Sequence, residues 1–430
     1  LIKDQGYSRF NITAKIRHNI AKNLLFEFGT RMNDTETNGA GTTGGKKSFR
    51  SYDLVTKGPV NGLMDQLDDA TISQMDEDEY DEYLSQTQLL SQRAALDWRK
   101  RKDRRFHYDA AINWDIIKSL RYRGEVGYDY NFYQQQQWWD AKSNKAQQEG
   151  GELPMGEWEK KDTWKLRVTN TLTFNKDFGA HALNAMIGQE YIATNYESNT
   201  MLGKYFVDGT TPEKMFAAMQ ANSGATGAVT ISSVLGKEDR TVSFFGRVNY
   251  NYDGRYYATA TFRADGSSKF ARGNRWGYFP AGSLAWRISQ EQFMNDTREW
   301  LSNLKLRASI GTSGNNRIGS ALFETLYKNY SSSKYYGAGN IRNPHWTLNN
   351  SQLANPNLKW ETTITRNIGL DFGFLNERFS GSIEFYWNTV KDLLLNRNIT
   401  AIGYTSMQQN IGQTSNKGVE FQFNGYAVNT

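Results

Sequence analysis

The chain has 430 residues, of which 38% are hydrophobic, 14% aromatic and 22% charged, and its formal net charge is +6. It contains no cysteine, which excludes disulfides and thiolate metal sites. No run approaches the roughly 18 consecutive apolar residues that a membrane-spanning helix needs. A high aromatic content without long apolar runs favours instead a sheet that presents apolar side chains at every second position.

Six strands are predicted in the first half of the chain, because apolar and polar side chains alternate there. Successive side chains of a strand point to opposite faces, so each segment has one apolar face and one polar face. Short links join these strands in pairs, and long polar segments separate the pairs. The predicted strands are Arg9–His18, Leu24–Met32, Phe106–Ile116, Leu120–Tyr133, Lys161–Phe174 and His181–Tyr196.

Seven further strands are predicted in the second half of the chain. The clearest is a hairpin of two long strands between Trp360 and Trp387. The dipeptide Asp253-Gly254 separates two other strands and is a strong hairpin signal. The predicted strands are Thr241–Tyr252, Tyr256–Arg263, Trp276–Ile288, Leu304–Ile310, Trp360–Phe374, Phe379–Asn388 and Val419–Asn424.

The links between the predicted strands alternate between short and long. Tight turns on one side and long loops on the other are typical of outer-membrane barrels, whereas long loops are rare in compact soluble domains. The predicted fold class is therefore all-β, a transmembrane antiparallel β-barrel with short periplasmic turns and long extracellular loops. An odd number of strands in an open sheet would leave edge N–H and C=O groups unpaired in hydrocarbon, so we expect further strands in the full molecule.

Three features depart from this pattern. Pro280 lies inside a predicted strand, where we expect a bulge or a frayed edge. Arg366 lies on the apolar parity of its strand, although an arginine at the membrane midplane would cost about 2–4 kcal/mol. A bulge, an interfacial position or snorkelling of the side chain would each account for Arg366. The segment Gln290–Ser302 is longer than a normal periplasmic turn and is expected to hold a short helix.

Five stretches of the second half resemble, in the same order, the barrel of SusC/RagA-family TonB-dependent transporters. The resemblance covers about residues 241–430. The first half shares only the general pattern of the family and none of the quoted stretches. The stretches are FRADGSSKF at Phe262–Phe270, WGYFPAGSLAWRIS at Trp276–Ser289, ANPNLKWE at Ala354–Glu361, FYWNTVKDLL at Phe385–Leu394 and NKGVEF at Asn416–Phe421.

The resemblance implies a large plugged barrel of about 22 strands in the outer membrane of a Bacteroidetes-type, Gram-negative bacterium. It implies active import of oligosaccharides or peptides, driven by the TonB–ExbB–ExbD complex and assisted by a SusD-like surface lipoprotein that acts as a lid. It also implies that two transporter–lid units can pair. The plug domain, the TonB box, the N-terminal extension and the final strands have no counterpart in residues 1–430. We therefore expect the chain to be a partial receptor barrel domain.

The sequence offers no convincing catalytic or metal-binding pattern. The four histidines, His18, His107, His181 and His345, have no second histidine at metal-ligand spacing, and no Gly-x-Ser-x-Gly motif occurs. The segment Gly39–Gly44 matches Gly-x-Gly-x-x-Gly but lacks the strand–turn–helix context of a nucleotide site, so it is interpreted as a loop. We predict that the protein is not an enzyme and has no resident cofactor.

Two charged segments have competing interpretations. Asp65–Glu82 is strongly acidic and is interpreted as a solvated outer-loop helix, with a loose Ca²⁺ site or a docking face for a basic partner as the alternatives. Arg99–Arg105 is strongly basic and is interpreted as a solvated strand edge, with a polyanion site as the alternative. Outer-membrane lipid is a predicted partner. No binding of nucleic acid is predicted.

Aromatic side chains in the predicted outer loops are the candidate substrate contacts. Flat rings bind the apolar faces of sugars or of peptide side chains. The alternative is that these rings belong to an interfacial girdle or pack within the loops. The candidates are Trp138, Trp139, Tyr335, Tyr336 and Trp346.

Cations on the polar parity of the strands are candidates to line the lumen. There they would contact a plug or a substrate, hold the plug or be solvated. The candidates are Arg121, Arg123, Lys165, Arg167, Lys305 and Arg307.

Two other functions are alternatives to active import. A passive porin or surface-adhesin barrel would lack energy coupling, a plug and a TonB box. An outer-membrane hydrolase barrel would need a Ser/His/Asp cluster at the rim, and the sequence does not offer one.

Overall fold

The computed structural model describes residues 6–39, 69–76, 79–80, 96–222, 224–329, 346–349, 351–399 and 403–426. These residues are mostly β-structure. The strands are β1 (Gly6–Ala21), β2 (Leu24–Asn38), β3 (Asp97–Ile117), β4 (Leu120–Trp139), β5 (Met155–Phe178), β6 (His181–Gly203), β7 (Val229–Leu235), β8 (Asp239–Tyr252), β9 (Tyr256–Ser267), β10 (Trp276–Arg287), β11 (Leu301–Asn315), β12 (Tyr327–Asn329), β13 (Trp346–Leu348), β14 (Glu361–Phe374), β15 (Phe379–Lys391), β16 (Leu394–Asn398), β17 (Ser406–Asn410) and β18 (Gln413–Gly425).

Fourteen of these strands form one antiparallel sheet. The order along it is β1-β2-β3-β4-β5-β6-β8-β9-β10-β11-β14-β15-β18, and β7 pairs with the upper part of β6. Two small sheets, β12-β13 and β16-β17, are separate from it. Within the described residues, β1 and β18 do not pair with each other, so this part of the chain is an open segment of a barrel wall.

The helices of the described residues are all short. Three are α-helices, Asp69–Ser73, Asn144–Glu149 and Pro212–Ala217. Two are 3-10 helices, Ile288–Gln290 and Gln292–Thr297, which confirms the short helix expected between β10 and β11. In this part of the chain, no helix combines the length and the apolar character that crossing a membrane would need.

All thirteen predicted strands are present, and the predicted all-β antiparallel fold is confirmed. The hairpin predicted at Asp253-Gly254 is also confirmed: both residues have positive φ, 54° and 65°. A two-residue hairpin turn with positive φ at both positions favours glycine, because an added Cβ strains that conformation.

The strands β3 to β6 extend well beyond their predicted ends. Strand β3 begins at Asp97 and not at Phe106, and β5 begins at Met155 and not at Lys161. The extensions have polar residues on both faces, as at Lys100 in β3, so they lack the alternation that reveals a half-buried strand. For the same reason the predicted long segments are shorter than expected.

The large sheet has one apolar and one polar face along its whole width. The ladder pairs place apolar residues opposite one another, such as Leu306 opposite Leu370 and Ile368 opposite Phe385. Their side chains remain exposed, as expected for a surface that faces lipid. Large exposed side chains of this face include Ile12, Ile112, Val126, Ile187, Phe244, Phe262, Leu284, Leu306, Ile368, Phe385 and Phe421.

Stacked aromatic rings mark the end of the apolar face near the short links. Tyr256 lies between Tyr252 and Trp286, with ring centroids 6.3 and 6.5 Å apart, and Trp300 stacks on Phe374 at 6.0 Å. Rings of this kind form the girdle at the membrane–water boundary of a barrel. This end of the sheet therefore has the character expected of the periplasmic rim.

Pro280 in β10 and Arg366 in β14 departed from the strand pattern, and the adjacent strands show how each is accommodated. Pro280 pairs with Phe262 of β9 in unbroken register, and the ladder to β11 starts only at Ala281. The expected frayed edge is thus present and the bulge is not. Arg366 also lies in unbroken register, and its guanidinium carbon lies 4.8 Å from the ring centre of Trp387. A cation–π contact therefore accompanies this charge on the apolar face.

Buried apolar side chains gather at the end of the sheet that carries the long loops. One cluster contains Phe270, Phe279, Leu358 and Trp360. Trp360 was expected on the apolar face of its strand, but it precedes β14, is 8% exposed and donates its indole N–H to the Arg275 carbonyl at 2.8 Å. A barrel wall has no central apolar core, so its tight packing lies where loops fold onto strand ends.

Candidate functional site

The polar face of the sheet carries the charged side chains that could meet a solute or a second domain. The ladders place all six predicted lumen cations on this face, since each shares the parity of polar neighbours and opposes the apolar parity. The six are Arg121, Arg123, Lys165, Arg167, Lys305 and Arg307. Whether they contact a plug or a substrate stays a prediction, but the structure shows what holds each of them.

Glu27 is the centre of the first ion cluster. Its carboxylate accepts hydrogen bonds from Arg17 at 2.8 Å, Arg123 at 2.9 Å and Asn113 at 3.0 Å. The residue is 8% exposed, so this charge is shielded from solvent and compensated by its partners. The cluster joins β1, β2, β3 and β4 through side chains, in addition to their backbone ladders.

Glu125 extends the same cluster to β5. It accepts a hydrogen bond from Arg123 at 2.8 Å and another from Arg167 at 3.0 Å. Arg123 thus lies between two carboxylates, those of Glu27 and Glu125. Glu27, Arg123, Glu125 and Arg167 follow one another in space as a row of alternating charge across the polar face. The ion pairs between neighbours hold these side chains in defined positions.

Arg263 forms the second cluster, which the sequence interpretation missed. Its guanidinium donates to Asp265 at 2.7 Å, to Ser243 at 2.9 Å and to Glu190 at 3.1 Å. The cluster connects β6, β8 and β9. The signal was present, because Arg263 and Asp265 stand two residues apart on one strand parity within the stretch FRADG.

Arg307 forms the third cluster, on β11, β14 and β15. It donates to Asp371 at 3.0 Å and to Glu384, and Asn367 donates to the other oxygen of Glu384 at 3.0 Å. One arginine therefore bridges two carboxylates, and the three side chains keep a net charge of −1. As in the other clusters, the charges come from strands that are adjacent in the sheet and distant in sequence.

The remaining predicted lumen cations are held more loosely. Arg121 pairs with Asp115 at 2.5 Å, but both side chains are exposed, at 59% and 45%. The Lys305 ammonium lies 5.1 Å from the ring centre of Tyr257. Lys165 is exposed on the polar face. Arg121 and Lys165 are more accessible to a passing anion or carboxylate than the arginines of the clusters, whereas Lys305 is half-buried.

The loop aromatics are only partly described. Tyr335 and Tyr336 lie outside the described residues. Trp346 begins β13 and pairs with Asn329, and its side chain lies outside what the structure describes. Their proposed contacts with substrate stay predictions.

Trp138 and Trp139 are buried in two packed clusters. Trp138 is 8% exposed and packs with Phe206 and Met215, while Trp139 is 3% exposed and packs with Met155. The two rings lie on opposite faces of β4, because they are successive residues of one strand. Their burial supports the alternative of loop packing. A direct contact with substrate would require the loops to open, and it stays a prediction.

The structure describes the basic segment in full but only a small part of the acidic one. Most of Asp65–Glu82 lies outside the described residues, so the Ca²⁺ alternative stays a prediction there. The part of the chain that is described contains no group of three or more His, Asp or Glu placed to hold a metal ion. In the basic segment, Lys100 and Lys102 pair with Glu36, at 3.0 and 3.2 Å, and Arg104 pairs with Asp34 at 2.9 Å. These pairings favour the interpretation as a solvated strand edge.

Comparison with protein families finds a match over most of the chain. Residues 28–429 match the family described as "TonB dependent receptor-like, beta-barrel". The chain is 31% identical, over 99% of its length, to TonB-dependent receptor P3 of Formosa agariphila, of which it covers 40%. It is 42% identical, over 44% of its length, to TonB-dependent receptor SusC of Bacteroides thetaiotaomicron, of which it covers 19%.

Comparison with solved structures finds the same architecture. The RagAB peptide transporter superposes with a TM-score of 0.75 over 99% of this chain and 45% of the matched chain, at 22% identity. Its open-open state gives a TM-score of 0.72 over 98% of this chain. The identity is low, so the likeness shows the fold alone. The chain spans less than half the length of these relatives.

Proposed function

The chain belongs to the TonB-dependent receptor-like β-barrel family, and from that premise we propose that it is the barrel wall of an active outer-membrane importer. The cargo is an oligosaccharide or a peptide. Peptides are named for the RagAB transporter, whose fold this chain shares. Energy comes from the TonB–ExbB–ExbD complex in the inner membrane, and a SusD-like surface lipoprotein covers the barrel. Two such units associate in the membrane.

The observation that carries the proposal is the division of the sheet into two faces. One face is apolar and is bordered by stacked aromatic rings at the end with the short links, as suits a lipid-facing barrel wall. The opposite face holds rows of paired charges, which suit a wetted interior that surrounds a domain and a moving polar solute. Transport needs such a surface, because it forms and breaks weak polar contacts and no covalent bonds.

The ion clusters support a fixed wall in preference to a flexible one. Each cluster joins at least three strands, and every carboxylate in it pairs with an arginine. Lys165 and Lys305 form no ion pair with another described residue, so they are the cations left for solute or for a plug. The division of labour we propose is that the clustered arginines hold the wall while these two lysines guide polar cargo.

Native mass spectrometry of the full-length receptor, extracted from its outer membrane in mild detergent, tests the assembly. The proposal predicts a chain about twice as long as these 430 residues, accompanied by a lipoprotein of equal abundance. A receptor that is purified without any bound lipoprotein would contradict an importer covered by a lipoprotein. That result would favour a passive porin or an adhesin.

A further inference from the structure

The apolar face of the sheet carries three cations towards its upper end, the end with the long loops. They lie on β14, β15 and β18, which are neighbours in the sheet. Arg366 lies opposite Trp387 in one ladder and Trp387 lies opposite Lys417 in the next, so the two cations stand on either side of this tryptophan. Lys391 lies further up β15, opposite Thr362. We call Arg366, Trp387, Lys391 and Lys417 the outer basic patch.

No carboxylate balances the outer basic patch among the described residues. The ion pairs nearby involve other side chains: Arg307 with Glu384 on the polar face, and Lys359 with Asp392 beyond the end of β15. Along β10, β11, β14, β15 and β18, no position on the apolar parity is Asp or Glu. This region of the apolar face therefore carries three positive charges and no negative one.

Trp387 holds Arg366 in place on the apolar face. The guanidinium carbon lies 4.8 Å from the ring centre, and the indole N–H donates to Ser415 Oγ at 3.0 Å, which sets the orientation of the ring. Among the described side chains, the guanidinium donates only to the Thr389 hydroxyl, at 3.5 Å. An arginine has five N–H donors, so most of them are left for an anion. Arg366 is thus positioned by its neighbours but not neutralised by them.

Strand geometry gives the height of the patch above the periplasmic rim. Along β14, Arg366 stands eight positions above Phe374, one of the stacked rings of that rim. At roughly 3.3 Å per residue and a strand tilt of about 40°, this is about 20 Å up a lipid-facing belt that is about 25 Å tall. Lys391 stands four positions beyond Trp387, about 10 Å higher again. The patch therefore spans the boundary between the hydrocarbon and the headgroups of the outer leaflet.

A phosphate group is the ligand that suits these side chains at this height. Arginine binds phosphate through paired N–H donors, and lysine binds it as a point charge. The apolar face is turned away from the polar interior, so the anions within its reach are those of lipid headgroups. Long basic side chains near the boundary extend towards the headgroups while their carbon chains stay in the apolar layer. Exposed apolar side chains lower on the same face, such as Ile368 and Phe385, offer a surface for acyl chains.

We infer that the outer basic patch binds the phosphate group of a lipid of the outer leaflet. Arg366 and Lys417 hold the phosphate beside Trp387, and Lys391 meets the headgroup further out. The inference rests on the proposed function for the membrane in which the barrel lies. It goes beyond that function because it assigns a lipid site to the outside of the wall, apart from the path of the cargo. The lipid phosphate also supplies the countercharge that Arg366 lacks on the apolar face.

Native mass spectrometry with defined lipids tests the site. The full-length receptor is stripped of lipid in detergent and mixed with monophosphoryl lipid A, or with the same lipid after enzymatic removal of its phosphate. The unaltered receptor is expected to retain the phosphorylated lipid at least about fivefold better than the phosphate-free one. Replacing both flanking cations, Arg366→Gln with Lys417→Gln, should abolish that preference. Arg366→Lys keeps the charge and should retain most of it, which a merely structural role of the arginine would not explain.

The matched control removes two cations at the same end of the sheet that already have partners. It is Lys237→Gln with Arg240→Gln, whose side chains pair with Glu324 and Glu238, and it should leave the preference unchanged. The unaltered receptor alone can overturn the inference, since equal retention of the two lipids would show binding through acyl chains only. An unchanged preference in the variant without the two flanking cations, or an equal loss in the control, would overturn it as well. A receptor that shows the preference but imports no solute would fail the proposed function and leave the lipid site standing.

Discussion

Arg123 bridges two carboxylates on the polar face. Its guanidinium bonds to both Glu27 and Glu125, and Glu27 is almost fully shielded from solvent. Alternation in the sequence predicted the face on which Arg123 lies. It did not predict the partners, because Glu27 is 96 positions away and only the registers of two ladders, β2–β3 and β3–β4, bring the two together.

Replacing Arg123 with alanine is expected to destabilise the wall. The change leaves two carboxylates without their shared cation, which should lower the free energy of unfolding by about 1–2 kcal/mol after allowance for the part-exposed guanidinium. The measurement is the midpoint of thermal unfolding in detergent. Arg121→Ala is the matched control on the same strand and face, and it should have little effect because Arg121 and Asp115 are exposed. Equal effects of the two changes would refute a special role for the cluster.

Trp138 shows where sequence reasoning about single residues fails. A tryptophan in a predicted loop signals both a ligand contact and loop packing, and only burial separates the two. The ring is 8% exposed and packs with Phe206 and Met215. No pattern within β4 indicates this, because the packing residues come from the segment that follows β6.

Trp138→Ala is expected to loosen the packed loops. Removing a large buried ring usually costs about 3–5 kcal/mol, although part of this loss will be local where the loops can collapse. Hydrogen exchange across residues 203–222 should rise. The control in the same segment is Val207→Ala, which changes a side chain that is 77% exposed. Weakened substrate binding without any increase in exchange would instead favour a direct contact.

At the scale of elements, the sequence predicted strands well within the apolar belt and poorly above it. In the belt, water on one side and apolar surroundings on the other impose a period of two, as in β14 and β15. Above the belt both faces meet water or loops, so β3 to β6 continue without that period. Strand β7 was missed for the same reason, since its sequence VTISSVL has mixed polarity on both parities.

The link between β10 and β11 is expected to be sensitive to acid. Glu291 accepts hydrogen bonds from Tyr256 at 2.5 Å, Trp286 at 2.9 Å and Arg255 at 3.0 Å, and these bonds, that from Tyr256 foremost, hold the pKa of its carboxyl below the usual range. A lowered pKa in the folded state stabilises the protein above the ordinary glutamate pKa of about 4.3. That stabilisation is lost as the pH falls through the lowered value.

The comparison of the unaltered protein with Glu291→Gln measures this effect. The glutamine keeps a hydrogen-bond acceptor but does not titrate. The difference between the two unfolding temperatures should be constant above about pH 5 and should shrink as the pH approaches 3. A difference that does not change over this range would show that Glu291 is not the titrating group.

In the whole molecule, the separation of an apolar and a polar face of the sheet determines where apolar and charged side chains lie. It exposes Ile368 and Phe385 on one side and gathers charge around Glu27, Arg263 and Arg307 on the other. The two faces follow from local alternation, so the sequence alone predicted the barrel wall. The joining of the three charge clusters depends on ladders between distant segments, which no local pattern specifies.

Short-time uptake in living cells distinguishes active import from passive passage through the barrel. Cells grown in a mixture of oligosaccharides and peptides would be compared with cells that lack this receptor and with cells that lack TonB, and depletion of each solute from the medium would be followed by mass spectrometry. If import is active, one class of solute is taken up in normal cells, and loss of either the receptor or TonB abolishes its uptake. Uptake that requires this receptor but continues without TonB would contradict active import and identify a passive channel.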